Sequence, residues 1–394
     1  MNIALCYENV LPARGGCETY IADLSRRLVG SGHEVHLYAC RWDADALPKE
    51  MHYHLLPSPG GPRFLRPWRF SAGCQTALKA NHHDVSMGFD KTWGQDVLYP
   101  QGGLHAASAH HNINKYRHGL VRSVARVIKK LDLAHWSFTR LEKKQYLNGN
   151  PLIVVNSHMV ARHFQNYYNI GRERLRIVYS AIDSSRFNCP DRPRLRQEWR
   201  QRWGIGSEET VGLFVAMNYR LKGMDPLLRA VGHLPPDRPF RLLVAGHPNF
   251  RAYARLAGKL GIANRVLFLG PRRDVHYCYF AADFLVHPTF YDPCSLVVLE
   301  ALACGLPVIT TGFNGASEFL IPKDTGPTSP AGFVLDDPHN HRELAWQMLQ
   351  LFDPGRRAAC AVAARRTAEL WTFDHHYQQL LQVFSEAAAN KRAA

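Results

Sequence analysis

The sequence has no long apolar run. Its longest, such as Leu213 to Met217 and Leu296 to Leu299, fall far short of the roughly 20 residues that a membrane-spanning helix needs. A signal peptide is not expected either. Met1 to Tyr7 reads as a short buried strand, and Glu8 follows at once. Cys-x-x-Cys pairs are missing. The nine cysteines are scattered, and Cys6 and Cys40 fall in strand-like segments, which fits reduced thiols in a cytosol better than a disulfide framework. Neither half shows Gly-x-Gly-x-x-Gly after a strand, so a dinucleotide oxidoreductase is disfavoured. The 21 histidines show no His-Glu-x-x-His or related spacing, and no metal site is expected. His110-His111 and His375-His376 read as surface residues. Acidic charge is also scarce: 33 Asp and Glu face 48 Lys and Arg, a net charge of +15. That balance calls for an anionic partner. No basic–aromatic interleaving of a nucleic-acid module is present, so nucleic acid is not expected. Anionic lipid or a phosphorylated substrate remains.

What is present is an alternation of strand and helix signals, the mark of parallel α/β architecture. Asn2 to Tyr7 reads as a strand, and Arg14-Gly15-Gly16 breaks it. A helix follows with Ile21, Leu24 and Leu28 at helical spacing. Glu34 to Cys40, Val85 to Gly88 and Leu152 to Asn156 read as further strands. The pattern then restarts with strands at Val211 to Ala216, Phe240 to Ala245, Val266 to Leu269, Phe284 to Pro288 and Val308 to Thr311. The expectation is two doubly wound, Rossmann-like domains facing a cleft. The first is 1–178, joined by a C-terminal helix over 373–394 that packs back on it. The second is 179–372. In such sheets, ligands bind beyond the carboxyl ends of the strands.

The chemistry concentrates in Tyr291-Asp292-Pro293-Cys294-Ser295-Leu296-Val297-Val298-Leu299-Glu300, which runs on to Gly305-x-Pro307. A carboxylate precedes an apolar helix, and a second follows eight residues later. The helix start offers N–H groups to a phosphate, and the carboxylates accept from hydroxyls on either side. The plainer alternative is an N-cap and a solvated glutamate. Val211 to Leu320 resembles the donor-binding half of retaining glycosyltransferases of family 4, which have the GT-B fold. The family's Glu-x7-Glu stands here as Asp292-x7-Glu300, and Gly312-x-x-Gly315-x-x-Glu318 matches downstream. The resemblance implies that Asp292 holds donor-sugar hydroxyls and Glu300 the ribose. Backbone N–H groups near Cys294, Ser295 and Leu296 would face the sugar and diphosphate. Lys222 matches the basic residue that neutralises the departing diphosphate. Leu221 replaces its usual basic neighbour, with Arg220 one position early. Gly15 and Gly16 fit the glycine loop that closes over the diphosphate. Arg273, beside Arg272, is a candidate near the nucleotide base. No nucleophile is evident, in keeping with front-side attack. Asp96 is the candidate for acceptor contact and catalysis, with Glu18 and His105 as further acceptor candidates. Asp43-Ala44-Asp45 has the form of a metal-binding Asp-x-Asp, but that motif belongs to the GT-A fold. No metal or other cofactor is expected, since the nucleotide-diphosphate sugar is a substrate.

Residues Lys115 to Trp136 carry a second signal. Leu120, Val124, Val127, Ile128 and Leu131 share one helical face, while Arg122, Arg126, Lys129 and Lys130 lie largely away from it. A basic amphipathic helix of this kind suits an anionic lipid surface. An ordinary helix packed on its own domain has the same pattern. Within the family, Gly88-Phe89-Asp90-Lys91, Asp96-Val97 and His287-Pro288 resemble the lipopolysaccharide-core glucosyltransferases that extend the inner-core heptose. The expected activity is retaining, metal-independent hexose transfer from a UDP-sugar, UDP-glucose first. The acceptor would be a lipid-linked or lipopolysaccharide-core glycan. The protein would be cytoplasmic and peripheral on the inner face of the cytoplasmic membrane. The alternatives are a GDP-mannose-type mannosyltransferase and a non-enzymatic two-domain sugar-binding protein.

Overall fold

The computed structural model describes residues 1–12, 15–187, 189–321 and 329–393. Arg14, part of the expected break before the first helix, lies outside the described residues. The chain divides into two compact units, Met1–Ser180 with Asp374–Ala394, and Ala181–Phe373.

The first unit contains β1 (Asn2–Cys6), β2 (Asn9–Val10), β3 (Glu34–Ala39), β4 (Arg41–Trp42), β5 (His52–Leu55), β6 (Val85–Phe89), β7 (Val97–Tyr99), β8 (Leu152–Val155) and β9 (Leu175–Ile177). Seven of them form one sheet in the order β5-β3-β1-β6-β7-β8-β9, and β2 pairs with β4. Every pairing in the large sheet is parallel. Ile3 to Cys6 and all of β6 are buried, because helices cover both faces of such a sheet and its central strands read as apolar runs. Within this sheet, the strands that sequence reading passes over are β5, β7 and β9, three or four residues long. β5 reads His-Tyr-His-Leu, a polar pattern natural to a sheet edge.

The last helix, Phe373–Ala393, is grouped with the first unit from Asp374 onward. It buries Tyr377, Leu380, Val383 and Phe384, and its Glu386 accepts from Arg176 Nε at 2.8 Å. His376, read from sequence as a surface residue, is instead buried. Its Nδ1–H donates to the Tyr179 carbonyl at 2.6 Å, and its Nε2 accepts from the Tyr20 hydroxyl at 2.7 Å. The helix turns this residue inward while its neighbour His375 is exposed.

The second unit holds β10 (Thr210–Ala216), β11 (Phe240–Gly246), β12 (Val266–Gly270), β13 (Phe284–His287), β14 (Val308–Thr311) and β15 (Gly332–Leu335). They form one parallel sheet in the order β12-β11-β10-β13-β14-β15. In both sheets the chain starts centrally, builds outward to one side, then returns to build the other. The switch points lie between β1 and β6 and between β10 and β13. At such points the loops leaving adjacent strands diverge and open a crevice.

The basic segment forms a helix, Gly119–Leu131, none of whose residues is buried. Leu120 and Leu131 are 85% and 78% exposed. Among the described residues no helix is long and apolar enough to cross a membrane.

Burial pushes the His376 imidazole down to about 4. The unfolded chain therefore takes up a proton near pH 6.5 that the folded chain refuses. This contribution to stability is full above pH 6.5 and is lost as pH falls towards 4. Urea unfolding at several pH values should show stability falling over that window. His376→Phe should flatten the slope by up to about 1.4 kcal/mol per pH unit. It should also cost roughly 1–3 kcal/mol at pH 7.5 through the two lost hydrogen bonds to Tyr20 and Tyr179.

Candidate functional site

In the second unit, the switch-point crevice is built from two loops. The loop after β10 carries Lys222, and the loop after β13 carries Asp292. Lys222 Nζ lies 2.5 Å from Asp292 Oδ2 and 3.2 Å from the Tyr291 carbonyl. Both side chains are largely buried, at 19% and 13% exposure. Burial works against charge on Asp292, yet the Lys222 ammonium and His287 hold its carboxyl well below the usual carboxylate range. His287 ends β13, with Nε2 3.7 Å from Asp292 Oδ2 and 3.4 Å from Ser295 Oγ. Burial lowers its pKa, so the imidazole is neutral at pH 7.

The backbone fixes this arrangement. Phe290 N–H donates to the Leu221 carbonyl at 2.9 Å, and Thr289 Oγ1 spans to the Leu221 and Tyr291 carbonyls. Gly223 sits at φ 84°, where a Cβ would fall 2.1 Å from the Pro288 carbonyl oxygen. Only glycine permits so close an approach. Asp292 bridges to Asn314. The Asn314 side chain accepts from Ser295 N–H at 3.2 Å and Ala316 N–H at 3.1 Å, and donates to Thr310 Oγ1 at 3.0 Å.

Ser295 precedes the helix Leu296–Ala303. Its N–H, expected to face a diphosphate, is given to Asn314 instead. Cys294 is buried and Leu296 half-buried at the helix start. Glu300 lies about one turn along the helix and accepts from the Tyr279 hydroxyl. Tyr279 is fully buried, so its hydroxyl fixes the direction of the carboxylate oxygen it reaches. Arg220 is exposed on the turn after β10, and Arg273 is exposed after β12. Arg272 is the held neighbour, paired with Asp274 at 2.6 Å and lying 5.5 Å from the Trp199 ring centre.

In the first unit a cavity of about 530 Å³ opens beyond the carboxyl ends of β1 and β6. Its lining includes Tyr7, Glu18, Asp90, Lys91, His105 and Glu142. Glu18 and His105, candidates from sequence, both face it. Asp96 does not. Its Oδ2 accepts from Ser86 N–H at 2.8 Å, Ser86 Oγ at 2.7 Å and Lys391 Nζ at 3.2 Å. It stands directly before β7, at the amino end of the sheet, and ties that end to the last helix. The aspartate of this stretch that lines the cavity is Asp90, the first residue past β6. The distinguishing signal is position: ligand-facing groups follow a strand of a parallel sheet, and Asp96 precedes one.

Asp90 has φ 48° and accepts from Gly102 N–H at 2.9 Å. Burial raises its pKa. Glu142 receives the N–H groups of His105 and Ala106 at the start of the helix His105–Asn114, and the Tyr168 hydroxyl at 2.7 Å. A carboxylate from another helix thus caps this one, and burial raises its pKa too. Burial and His135, 2.9 Å away, push His105 down to about 4. Lys91 Nζ lies 3.7 Å from the Phe138 ring centre. Gly15 and Gly16, both exposed, open the helix Gly16–Gly30. A Cβ on Gly15 would lie 3.0 Å from Glu18 Oε2.

Residues 14–186 match the model of Glycosyltransferase Family 4, and residues 196–367 match that of Glycosyl transferases group 1. The chain belongs to glycosyltransferase family 4. It is 26% identical to the lipopolysaccharide glucosyltransferase WaaG of Escherichia coli over 348 residues, 87% of each chain. The crystal structure of WaaG, a glycosyltransferase involved in lipopolysaccharide biosynthesis, superposes with a TM-score of 0.75 over 98% of both chains at 25% identity. A D-inositol 3-phosphate glycosyltransferase of Salinispora tropica is 28% identical over 96% of this chain and 82% of its own. The Anabaena protein HepE in complex with UDP-glucose shares the fold at 19% identity, with a TM-score of 0.69 over 98% and 99% of the two chains. The fold of this glycosyltransferase is therefore GT-B.

Removing one partner of the Lys222–Asp292 pair leaves a buried charge unpaired. Lys222→Ala should destabilise the second unit by about 3 kcal/mol, the low end of the range for buried pairs because some solvent reaches both groups. Lys222→Ala with Asp292→Ala should cost less than the sum of the two single changes, read by urea unfolding as a double-mutant cycle. Gly223→Ala should cost roughly 1–3 kcal/mol by forcing the loop off its positive φ.

Proposed function

We propose that this glycosyltransferase moves glucose from UDP-glucose, with retention of configuration and without a metal, to a lipopolysaccharide-core or lipid-linked glycan. The Lys222–Asp292 pair at the switch point, with Glu300 about one turn along the helix, carries the reading. A nucleotide sugar needs three things from such a crevice. Lys222 supplies a fixed cation where negative charge grows on the departing diphosphate. Asp292, kept ionised, accepts from sugar hydroxyls. Glu300, oriented by Tyr279, accepts from the ribose. No general base is required where the leaving phosphate takes the acceptor proton. The second unit is the donor domain in this reading, and the first unit's cavity, with Glu18, Asp90 and His105 on its wall, takes the acceptor.

The exposed apolar face of Gly119–Leu131, backed by Arg122, Arg126 and Lys130, supports docking on the anionic inner face of the cytoplasmic membrane. A lipid-anchored acceptor would be presented there.

Saturating UDP-glucose at 100 times its dissociation constant should stabilise the protein by about 2.7 kcal/mol, and GDP-mannose should not. Lys222→Ala should lower turnover by about 10²–10³-fold, and Glu300→Ala should weaken donor binding. Near wild-type turnover in both variants would sink the assignment. Product anomers read by NMR should keep the donor's α configuration.

The protein should float with phosphatidylglycerol vesicles and not with phosphatidylcholine ones. Leu120→Ser, Val124→Ser and Leu131→Ser together should release it while leaving donor binding intact.

A further inference from the structure

Glu34 and His36 are two residues apart on β3, so both side chains leave the same face of the sheet. β5 is the edge strand beside β3, and the register sets His52 opposite His36 and His54 opposite Tyr38. Two short alternating segments, Glu-Val-His and His-Tyr-His, thereby deliver four ligating side chains to one face. Among the described residues, Glu34, His36 and His52 are a group whose ligating atoms all lie within 4.8 Å of one another.

The spacing suits a shared ion. His36 Nε2 lies 3.2 Å from Glu34 Oε1, and His52 Nε2 lies 3.6 Å from the same oxygen. A tetrahedral ion bound at 2.0–2.1 Å holds its ligands about 3.4 Å apart. The His36 and His52 rings stack with centres 4.6 Å apart, so both nitrogens approach the carboxylate from one side. His36 is buried, while Glu34 and His52 are exposed, which leaves a solvent side for a fourth ligand.

A supporting layer is also in place. His36 Nδ1 lies 2.9 Å from His54 Nε2. That contact fixes the ring and, with Nδ1 as the donor, leaves the Nε2 lone pair for an ion. The edge of His83 meets His36 at 4.7 Å, and His83 is itself anchored to the Tyr38 hydroxyl at 2.8 Å and Asn2 Oδ1 at 2.5 Å.

We propose that Glu34, His36 and His52 bind one divalent transition-metal ion, zinc by preference, which ties the edge strand β5 to β3. Two imidazoles and one carboxylate make a borderline donor set suited to zinc, with water in the fourth position. The site stands apart from the first unit's cavity. It lies towards the amino ends of its strands, whereas the cavity of the first unit opens beyond the carboxyl ends.

The test uses the untagged full chain, stripped with EDTA and titrated with cobalt(II) as a spectroscopic probe and with zinc by calorimetry. One equivalent should bind and give the visible absorption of tetrahedral cobalt. His52→Ala and Glu34→Ala should abolish that signal, and His54→Ala should weaken binding by about 10–100-fold. Zinc should raise the Tm of the wild type and leave that of His52→Ala unchanged. His52 is exposed on an edge strand, so its variant should match the wild-type Tm in EDTA. Equal binding by the wild type and His52→Ala would place the ion among other histidines and overturn the proposal. So would the absence of binding by the wild type at micromolar zinc.

Discussion

An ammonium and a carboxylate held 2.5 Å apart and largely out of water impose a demand on everything around them. Each charge alone would be costly to bury, and together they hold only while the loops that carry them keep register. The second unit meets that demand with backbone rather than side-chain bulk. Gly223 lets the β10 loop press against the Pro288 carbonyl, Thr289 stitches the loops together, and Asn314 secures the approach to the helix. The result is a fixed cation beside an ionised carboxylate at the one place in the sheet where adjacent strands send their loops apart.

The first unit uses the same topology to opposite electrostatic effect. Asp90, half-buried, and Glu142, buried, take hydrogen bonds from N–H groups, yet desolvation outweighs these and raises both pKa values. Asp292 is buried as well, but Lys222 reverses the balance. One fold, used twice, therefore holds one carboxylate firmly ionised beside a lysine and, in the other unit, two carboxylates that resist ionisation.

Much of the candidate site was legible because its parts are local. Asp292, Ser295 and Glu300 lie on one short segment, and Lys222 follows a strand that any apolar-run reading finds. Asp96 misled because a carboxylate six residues beyond Asp90 looks equivalent in one dimension. A strand intervenes between their positions in space, and they stand at opposite ends of the sheet. Asn314 gave no signal of its own and His287 gave only one of resemblance, since their structural value lies in distances to residues elsewhere in the chain. His376 looked like half of a surface pair, and only the docking of the last helix turned it inward.

The sequence by itself determined that two parallel α/β units follow one another, that the second carries carboxylates around a helix start, and that the protein is basic with one amphipathic helix. These follow from periodicity and order, which local sterics and burial enforce. Tertiary structure alone decided that Lys222 meets Asp292, that Asp90 rather than Asp96 faces the cavity, and that His36 stacks on His52. Each of these depends on strand register or sheet order, which no short segment contains, because pairing is settled by the packing of the whole unit.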